Sequence, residues 1–229
     1  VSWHLLKGFT VNFPEKPETV AENIREIGPN ILFAPPRFWE KICSETQVRI
    51  QDAVWIKRFF YGMCMPVGYK MAELRLADRR AGVFLSIVDK LCYLLVFRSL
   101  KNYLGLGGLR NVYTGGAALG PEIFNLFQAL GVNIKQIYGQ TETSGIAVSH
   151  RNGAIKLTTV GKPIPEMEIR ISDSGEILTR GPTVFTGYYK NEEATSSAIE
   201  NGWLKTGDQG MIDEDGHLVM IDRMKDVMT

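Results

Sequence analysis

The chain has 229 residues, 45% of them hydrophobic and 22% charged, with 26 Lys and Arg against 25 Asp and Glu. That length and balance suit an ordinary soluble protein with one large core or two modest ones, and exclude a disordered chain. A formal charge of +1 leaves no global field to draw nucleic acid or an anionic membrane, so any charge-based partner must be met locally.

The chain opens on Val1-Ser2-Trp3-His4, with neither an initiator Met nor a charged leader before a long apolar run. The expectation is a chain cut at this point, without a visible signal peptide. Thr19 to Ile27 reads as a helix that Gly28 ends and Pro29 forbids from continuing. Asn30 to Ala34 is a short buried strand closed by Pro35-Pro36, and Phe38 to Ala53 resumes a helical pattern. Trp55 to Leu104 is predicted helical, with breaks near Pro66 and Gly82. Within it, Val83 to Phe97 is the most apolar stretch, but Asp89 and Lys90 interrupt it. It falls short of the roughly 20 apolar residues of a bilayer span and reads as helical core. Arg75, Arg79, Arg80 and Arg98 flank it, which keeps a helix docked on a membrane surface as a second reading.

From Arg110 the pattern sharpens into a strand to Thr114, a turn at Gly115-Gly116-Ala117-Ala118, a helix from Pro121 to Leu130 stopped by Gly131, and a strand from Asn133 to Tyr138. This β-α-β order predicts two parallel strands. The loops at Gly115 and Gly139 then leave the carboxyl edge of the sheet, where open α/β sheets collect ligands. Beyond about Arg151 the texture turns to short strands and tight turns. Glu168 to Ser172 pairs with Glu176 to Arg180, and Gln209 to Ile212 with His217 to Asp222, while Asn191 to Ile199 is a helix. The fold class is therefore α/β, with a parallel-sheet subdomain followed by a smaller β-rich one. We place the division at residues 1–150 and 151–222, with 223–229 left over.

The three cysteines, Cys43, Cys64 and Cys92, show no close spacing and read as buried thiols of a reducing, cytoplasmic compartment. His4, His150 and His217 are too dispersed in sequence to suggest a metal cluster. Generic nucleotide motifs fail as well. Gly105 to Arg110 lacks the third glycine of a dinucleotide fingerprint, and Gly202 to Gly207 is followed by Asp208 where a P-loop needs Lys. The acidic turn Asp213-Glu214-Asp215-Gly216 lacks calcium-loop spacing and reads as a hairpin turn.

The string Tyr138-Gly139-Gln140-Thr141-Glu142-Thr143-Ser144-Gly145 puts an aromatic ring, a flexible glycine, hydroxyls and a carboxylate in a loop leaving a parallel strand. A ring can stack on a purine, a hydroxyl can bond a phosphate oxygen, and a carboxylate is a hard ligand suited to Mg²⁺. The string resembles a signature of the acyl-adenylate-forming, or AMP-binding, superfamily. Gly202-Trp203-Leu204-Lys205-Thr206-Gly207-Asp208 is similar to that family's ribose motif, and Asp222-Arg223-Met224-Lys225-Asp226 to its hinge motif. Gly181 to Asn191 resembles a further family block, and Thr114-Gly115-Gly116-Ala117 its adenine-side turn.

The resemblance implies ATP or AMP and Mg²⁺ as ligands, with a carboxylic acid and CoA as co-substrates. It implies that Gly115, Gly116 and Ala117 line the adenine and acyl side and that Tyr138 stacks on adenine, with Gly139 and the variable Gln140 beside it. By the same resemblance, Thr141 contacts phosphate, Glu142 holds Mg²⁺, Asp208 and Arg223 hold the ribose, and residues 223–229 start a hinge to a following C-terminal domain, with Lys225 as its pivot. Pro35-Pro36-Arg37-Phe38-Trp39-Glu40-Lys41-Ile42 and the helical stretch from Arg79 to Leu109 are similar to long-chain fatty acyl-CoA synthetases. The expected parent activity is thus a fatty-acid–CoA ligase. The family's phosphate loop with its Lys and its C-terminal catalytic Lys are not found, so the residues in hand are not expected to turn over alone. Two alternatives stay open, an AMP- or ATP-binding module without turnover and an amino-acid-activating domain.

Overall fold

A computed structural model describes residues 7–223. Lys225 and His4 lie outside the described residues. Three short strands, β1 (Ile31–Phe33), β2 (Asn111–Thr114) and β3 (Ile134–Tyr138), run parallel side by side. β4 (Val148–Ser149) and β5 (Lys162–Pro163) extend them antiparallel into a five-stranded sheet. Parallel neighbours need crossovers, and helices supply them. The connection from β1 to β2 carries α2 (Pro36–Gln51), α3 (Trp55–Leu76), α4 (Val83–Cys92) and α5 (Arg98–Tyr103), and that from β2 to β3 carries α6 (Pro121–Ala129). α1 (Val20–Ile27) precedes the sheet and ends on Gly28 at φ +56°, whose N–H donates to Ile24 O.

All five residues of β3 are buried, as a central strand covered on both faces requires. Around it, Trp39, Phe124, Phe127, Leu130 and Ile134 are almost wholly excluded from solvent. The Trp39 indole N–H donates to Ala34 O at 3.3 Å, and its ring meets Phe127 edge-on at 5.1 Å. The carbonyl end of α6 receives two cations: Arg75 Nη2 donates to Gln128 O at 2.8 Å and Lys101 Nζ to Gly131 O at 3.3 Å. Positive charge there complements the helix dipole.

Three expectations are corrected. β1 is not a buried strand: it lies at the edge of its sheet, paired among the described residues to β2 alone, with Ile31 and Phe33 exposed and Leu32 half-buried. Pro66 does not break its helix, because α3 runs through it from Trp55 to Leu76. A proline ring crowds the carbonyl four residues earlier, and here that carbonyl belongs to Gly62, a residue without a side chain to hinder adjustment. Gly82 does mark a break, between α3 and α4. The stretch from Val83 to Phe97 is helical, its last turn a π-helix over Tyr93–Phe97, but it is not core throughout. Cys92 and Phe97 are buried, whereas Val83, Phe84, Ile87, Leu91, Leu94 and Leu95 are exposed. A helix on the outside of a layer buries only the stripe that faces its neighbour, here α3. No helix among the described residues is long and apolar enough to cross a membrane.

The second sheet is antiparallel. Its order is β10 (Leu218–Arg223), β9 (Trp203–Ile212), β7 (Glu176–Arg180), β6 (Glu168–Ile171), with β8 (Ile199–Glu200) also on β9. The hairpin turn at Asp213 to Gly216 is closed by Asp213 Oδ1, which accepts from the backbone N–H of Asp215 and His217, while Lys156 pairs with both Asp213 and Asp215. α7 (Glu192–Ala198) is capped by Asn191, whose Oδ1 accepts from Ala194 N at 3.0 Å.

The two sheets meet at Val160-Gly161 and Leu218, where Val160 N donates to Leu218 O at 2.9 Å and Leu218 N to Gly161 O at 2.7 Å. Beside this stitch, two histidines distant in sequence become neighbours. Gln136 N–H donates to His150 Nδ1 at 3.0 Å, so the His150 proton sits on Nε2, which faces Thr159 Oγ1 at 3.0 Å. Thr159 Oγ1 in turn lies within hydrogen-bond distance of His217 Nδ1, at 3.1 Å. Burial, with the nearby His217 adding to it, pushes the His150 pKa from 6.5 down to about 4.

A charged His150 would also set a second N–H against the Gln136 donor. Because the folded pKa lies below the unfolded one, the unfolded state binds more protons between pH 6.5 and 4, and stability rises with pH across that window. We predict that acidification from pH 7 to 4 removes about 3 kcal/mol through this residue. Urea midpoints at the two pH values measure it, and a His150→Gln chain with an undiminished pH dependence would contradict it.

Candidate functional site

The loop that leaves the carboxyl end of β3 carries the string singled out from sequence. It closes as a 3-10 turn, Thr141–Thr143, in which Thr143 N and Gly145 N both donate to Gln140 O at 3.0 Å, and Thr143 Oγ1 accepts from Gln140 N. A Cβ at Gly139 would lie 2.5 Å from Gly145 O, so the first residue of the loop must be glycine for the loop to return onto itself. Thr141 is exposed at the tip and Glu142 half-buried. The neighbouring turn after β2 presents Gly116 and Ala117 to solvent, whereas Gly115 is buried against Ile137. Just before that turn, the buried Thr114 Oγ1 has no hydrogen-bond partner.

Tyr138 ends β3 with 9% of its surface exposed, and its hydroxyl donates to Asp208 Oδ2 at 2.8 Å. One bond thus joins the first sheet to the second across 70 positions of sequence. Asp208 sits on β9, 8% exposed, directly opposite Arg223 of β10 in the strand register. Arg223 Nε lies 3.7 Å from Asp208 Oδ1, but the arginine side chain is 75% exposed, so the pair is worth little to stability. Asp208 N also donates to Thr206 Oγ1 at 3.2 Å. Burial holds the Tyr138 phenol well above its ordinary pKa, and the Asp208 carboxylate adds to this, while Thr206 and Arg223 offset part of it. The hydroxyl therefore stays protonated as a donor, leaving Asp208 an oriented acceptor.

Glu142 is gripped from the block Gly181 to Asn191. Phe185 N donates to Glu142 O at 2.7 Å, Tyr188 Oη to Glu142 Oε1 at 2.9 Å, and Ser144 Oγ to Thr183 O at 2.9 Å. Sequence reading named no role for Tyr188. Its 46-residue separation from Glu142 carries no periodic or motif signal that pairs them. Among the described residues, no group of three or more His, Cys, Asp or Glu side chains converges to hold a metal ion. A lone carboxylate suits an ion that arrives with phosphate oxygens and water, as Mg²⁺ does with a nucleotide, and does not suit an all-protein metal cage.

In short, the structure brings Tyr138, Asp208 and Arg223 into one cluster and Glu142 onto the 181–191 block. Gly115, Gly116, Ala117, Gly139, Gln140 and Thr141 lie on the two loops at the same sheet edge, because β2 and β3 are parallel neighbours.

Residues 1–189 match the family model described as AMP-binding enzyme. The chain is 35% identical over 221 residues to the long-chain-fatty-acid–CoA ligase FadD15 of Mycobacterium tuberculosis, covering 96% of this chain and 36% of that one. It is 32% identical to long chain acyl-CoA synthetase 3 of Arabidopsis thaliana, covering 90% of this chain and 32% of the relative. The chain thus spans about a third of the length of the curated relatives it matches. The crystal structure of the anthranilate CoA ligase AuaEII in complex with anthranoyl-AMP shares the fold, with a TM-score of 0.57 at 20% identity over 92% of this chain and 34% of that one.

Proposed function

The chain belongs to the AMP-binding enzyme family, and on that premise we propose that it is the nucleotide-holding part of a fatty-acid–CoA ligase. Such an enzyme joins a fatty acid to ATP as an acyl-adenylate, releases pyrophosphate and passes the acyl group to the thiol of CoA. Support for the long-chain acid comes from the names of the relatives, the ligase of Mycobacterium tuberculosis and the synthetase of Arabidopsis thaliana. The observation that carries the nucleotide reading is the Tyr138 to Asp208 hydrogen bond at 2.8 Å, which brings together motifs on two sheets.

In this reading Asp208 accepts from the two ribose hydroxyls, oriented by Tyr138, with Arg223 as the cation on the facing strand. Tyr138, only 9% exposed, leaves adenine little of its ring to stack on. Gly116 and Ala117, exposed on the adjoining turn, border the adenine and acyl side, and Gly139 and Gln140 shape the loop between. The exposed Thr141 hydroxyl donates to a phosphate oxygen. Glu142 would hold Mg²⁺, which supplies the charge neutralisation that lets an anionic carboxylate approach an anionic phosphate. Preorganised groups of this kind are usually the largest catalytic contribution. The division at 1–150 and 151–222, and the start of a hinge at 223–229 with Lys225 as pivot, belong to the same proposal.

The test is a pair of measurements. Calorimetric titration of the chain with AMP is expected to saturate at one site. Pyrophosphate release by the full-length ligase is expected to require both ATP and fatty acid. Release without fatty acid, or no AMP binding, would sink the reading. A second reading for these 229 residues alone, nucleotide binding without turnover, is favoured by their spanning about a third of the relatives' length. Turnover by the chain in isolation would exclude it.

A further inference from the structure

The block from Gly181 to Asn191 lies against the metal-ligand candidate Glu142, contacting both its backbone and its carboxylate. Building on the reading of Glu142 as the residue that holds Mg²⁺, we propose that Tyr188 is a positioning residue that fixes the Glu142 carboxylate for the metal-bound triphosphate. Its hydroxyl donates to Oε1 at 2.9 Å, which orients the carboxylate while leaving it acceptor capacity for an ion. The main chain is held at the same residue, because Phe185 N donates to Glu142 O at 2.7 Å. Glu142 is therefore fixed at both its backbone and its carboxylate by one short segment.

That segment is itself braced. The Phe185 and Tyr188 rings meet edge to face at 4.8 Å and 71°. Tyr188 N donates to Thr195 Oγ1 at 2.9 Å, and Thr195 N donates in turn to Asn191 O at 3.1 Å within α7. A third tie, Ser144 Oγ to Thr183 O at 2.9 Å, seats the far side of the loop. A free glutamate samples several rotamers and loses that freedom when it binds an ion. With the carboxylate already ordered by a neighbouring donor, that loss precedes ligand binding, which is how outer partners of metal ligands act.

The test separates metal-dependent from metal-independent binding in the whole chain. AMP, ATP with a chelator, and ATP with excess MgCl₂ are titrated calorimetrically into the wild type and into Tyr188→Phe, which keeps the ring against Phe185 and removes only the hydroxyl. The wild type is expected to gain ATP affinity on addition of Mg²⁺. In Tyr188→Phe that gain is expected to fall about tenfold, with AMP affinity, metal-free ATP affinity and melting temperature unchanged. An undiminished Mg²⁺ gain in the variant overturns the proposal. So does an equal loss with all three ligands, which would make Tyr188 merely structural. If Mg²⁺ brings no gain in the wild type although AMP binds, the metal role of Glu142 fails and this inference with it. If the wild type binds no nucleotide, the proposed function itself is wrong.

Discussion

Replacing Asp208 by alanine is expected to lower AMP affinity about 100-fold, and pyrophosphate release by the full-length ligase with it. The side chain is 8% exposed and receives the Tyr138 hydroxyl on Oδ2. Its remaining acceptor capacity is what two ribose hydroxyls would use. Hydrogen bonds to a charged group contribute about 1.5–3 kcal/mol each, and a loss of about 3 kcal/mol corresponds to roughly two powers of ten in binding. Asp208→Ala also strands the buried Tyr138 hydroxyl, so part of the damage is to stability. Asp208→Asn separates the two effects, because its amide oxygen can still accept from Tyr138 while the charge is gone. We expect Asp208→Asn to keep its melting temperature and still lose AMP affinity at least tenfold. By contrast, Arg223→Ala should cost only a few-fold, since that side chain is 75% exposed and screened. Calorimetry on the three variants decides, and wild-type affinity in Asp208→Ala would remove the ribose assignment.

Gly161→Ala is the second large effect, and it is one of folding. Gly161 holds φ at +102°, and a Cβ there would overlap the backbone of Ser149 and His150. Its carbonyl accepts from Leu218 N at 2.7 Å, so the residue cannot move aside without opening the stitch between the sheets. The left-handed backbone costs an L side chain about 1–2 kcal/mol. Overpacking against rigid backbone costs roughly 1–3 kcal/mol more. The sum, about 4 kcal/mol, corresponds to a fall of roughly 8–16 °C in melting temperature for a domain of this size. Gly175→Ala is the control. Gly175 holds φ at +83° with nothing within 4 Å of its would-be Cβ, so it should show only the backbone part. Equal losses in the two variants would mean that the close approach at Gly161 does not matter.

Local signals carried most of the elements. Pro121 and Gly131 bracket α6, Gly28 ends α1 at φ +56°, and the turns Asp173-Ser174-Gly175 and Asp213 to Gly216 sit between paired strands. These succeed because caps and tight turns depend on residues a few positions apart. The exposed side of α4 was not legible, since an apolar run is equally compatible with burial all round and with one buried stripe. Pro66 misled for a similar reason, as its effect on α3 depends on whether the turn before it can adjust.

Motif order and residue type alone determined the family, the β-α-β edge and the short list of nucleotide-contacting candidates. Contacts spanning many residues were decided only by the tertiary structure. Tyr138 donates to Asp208, Tyr188 fixes Glu142, and His150 and His217 share Thr159 across the sheet junction. The physical reason is range. Propensity, capping and turn chemistry act over one or two turns of chain, whereas a hydrogen bond is set by position in space, which follows only from how the two sheets pack.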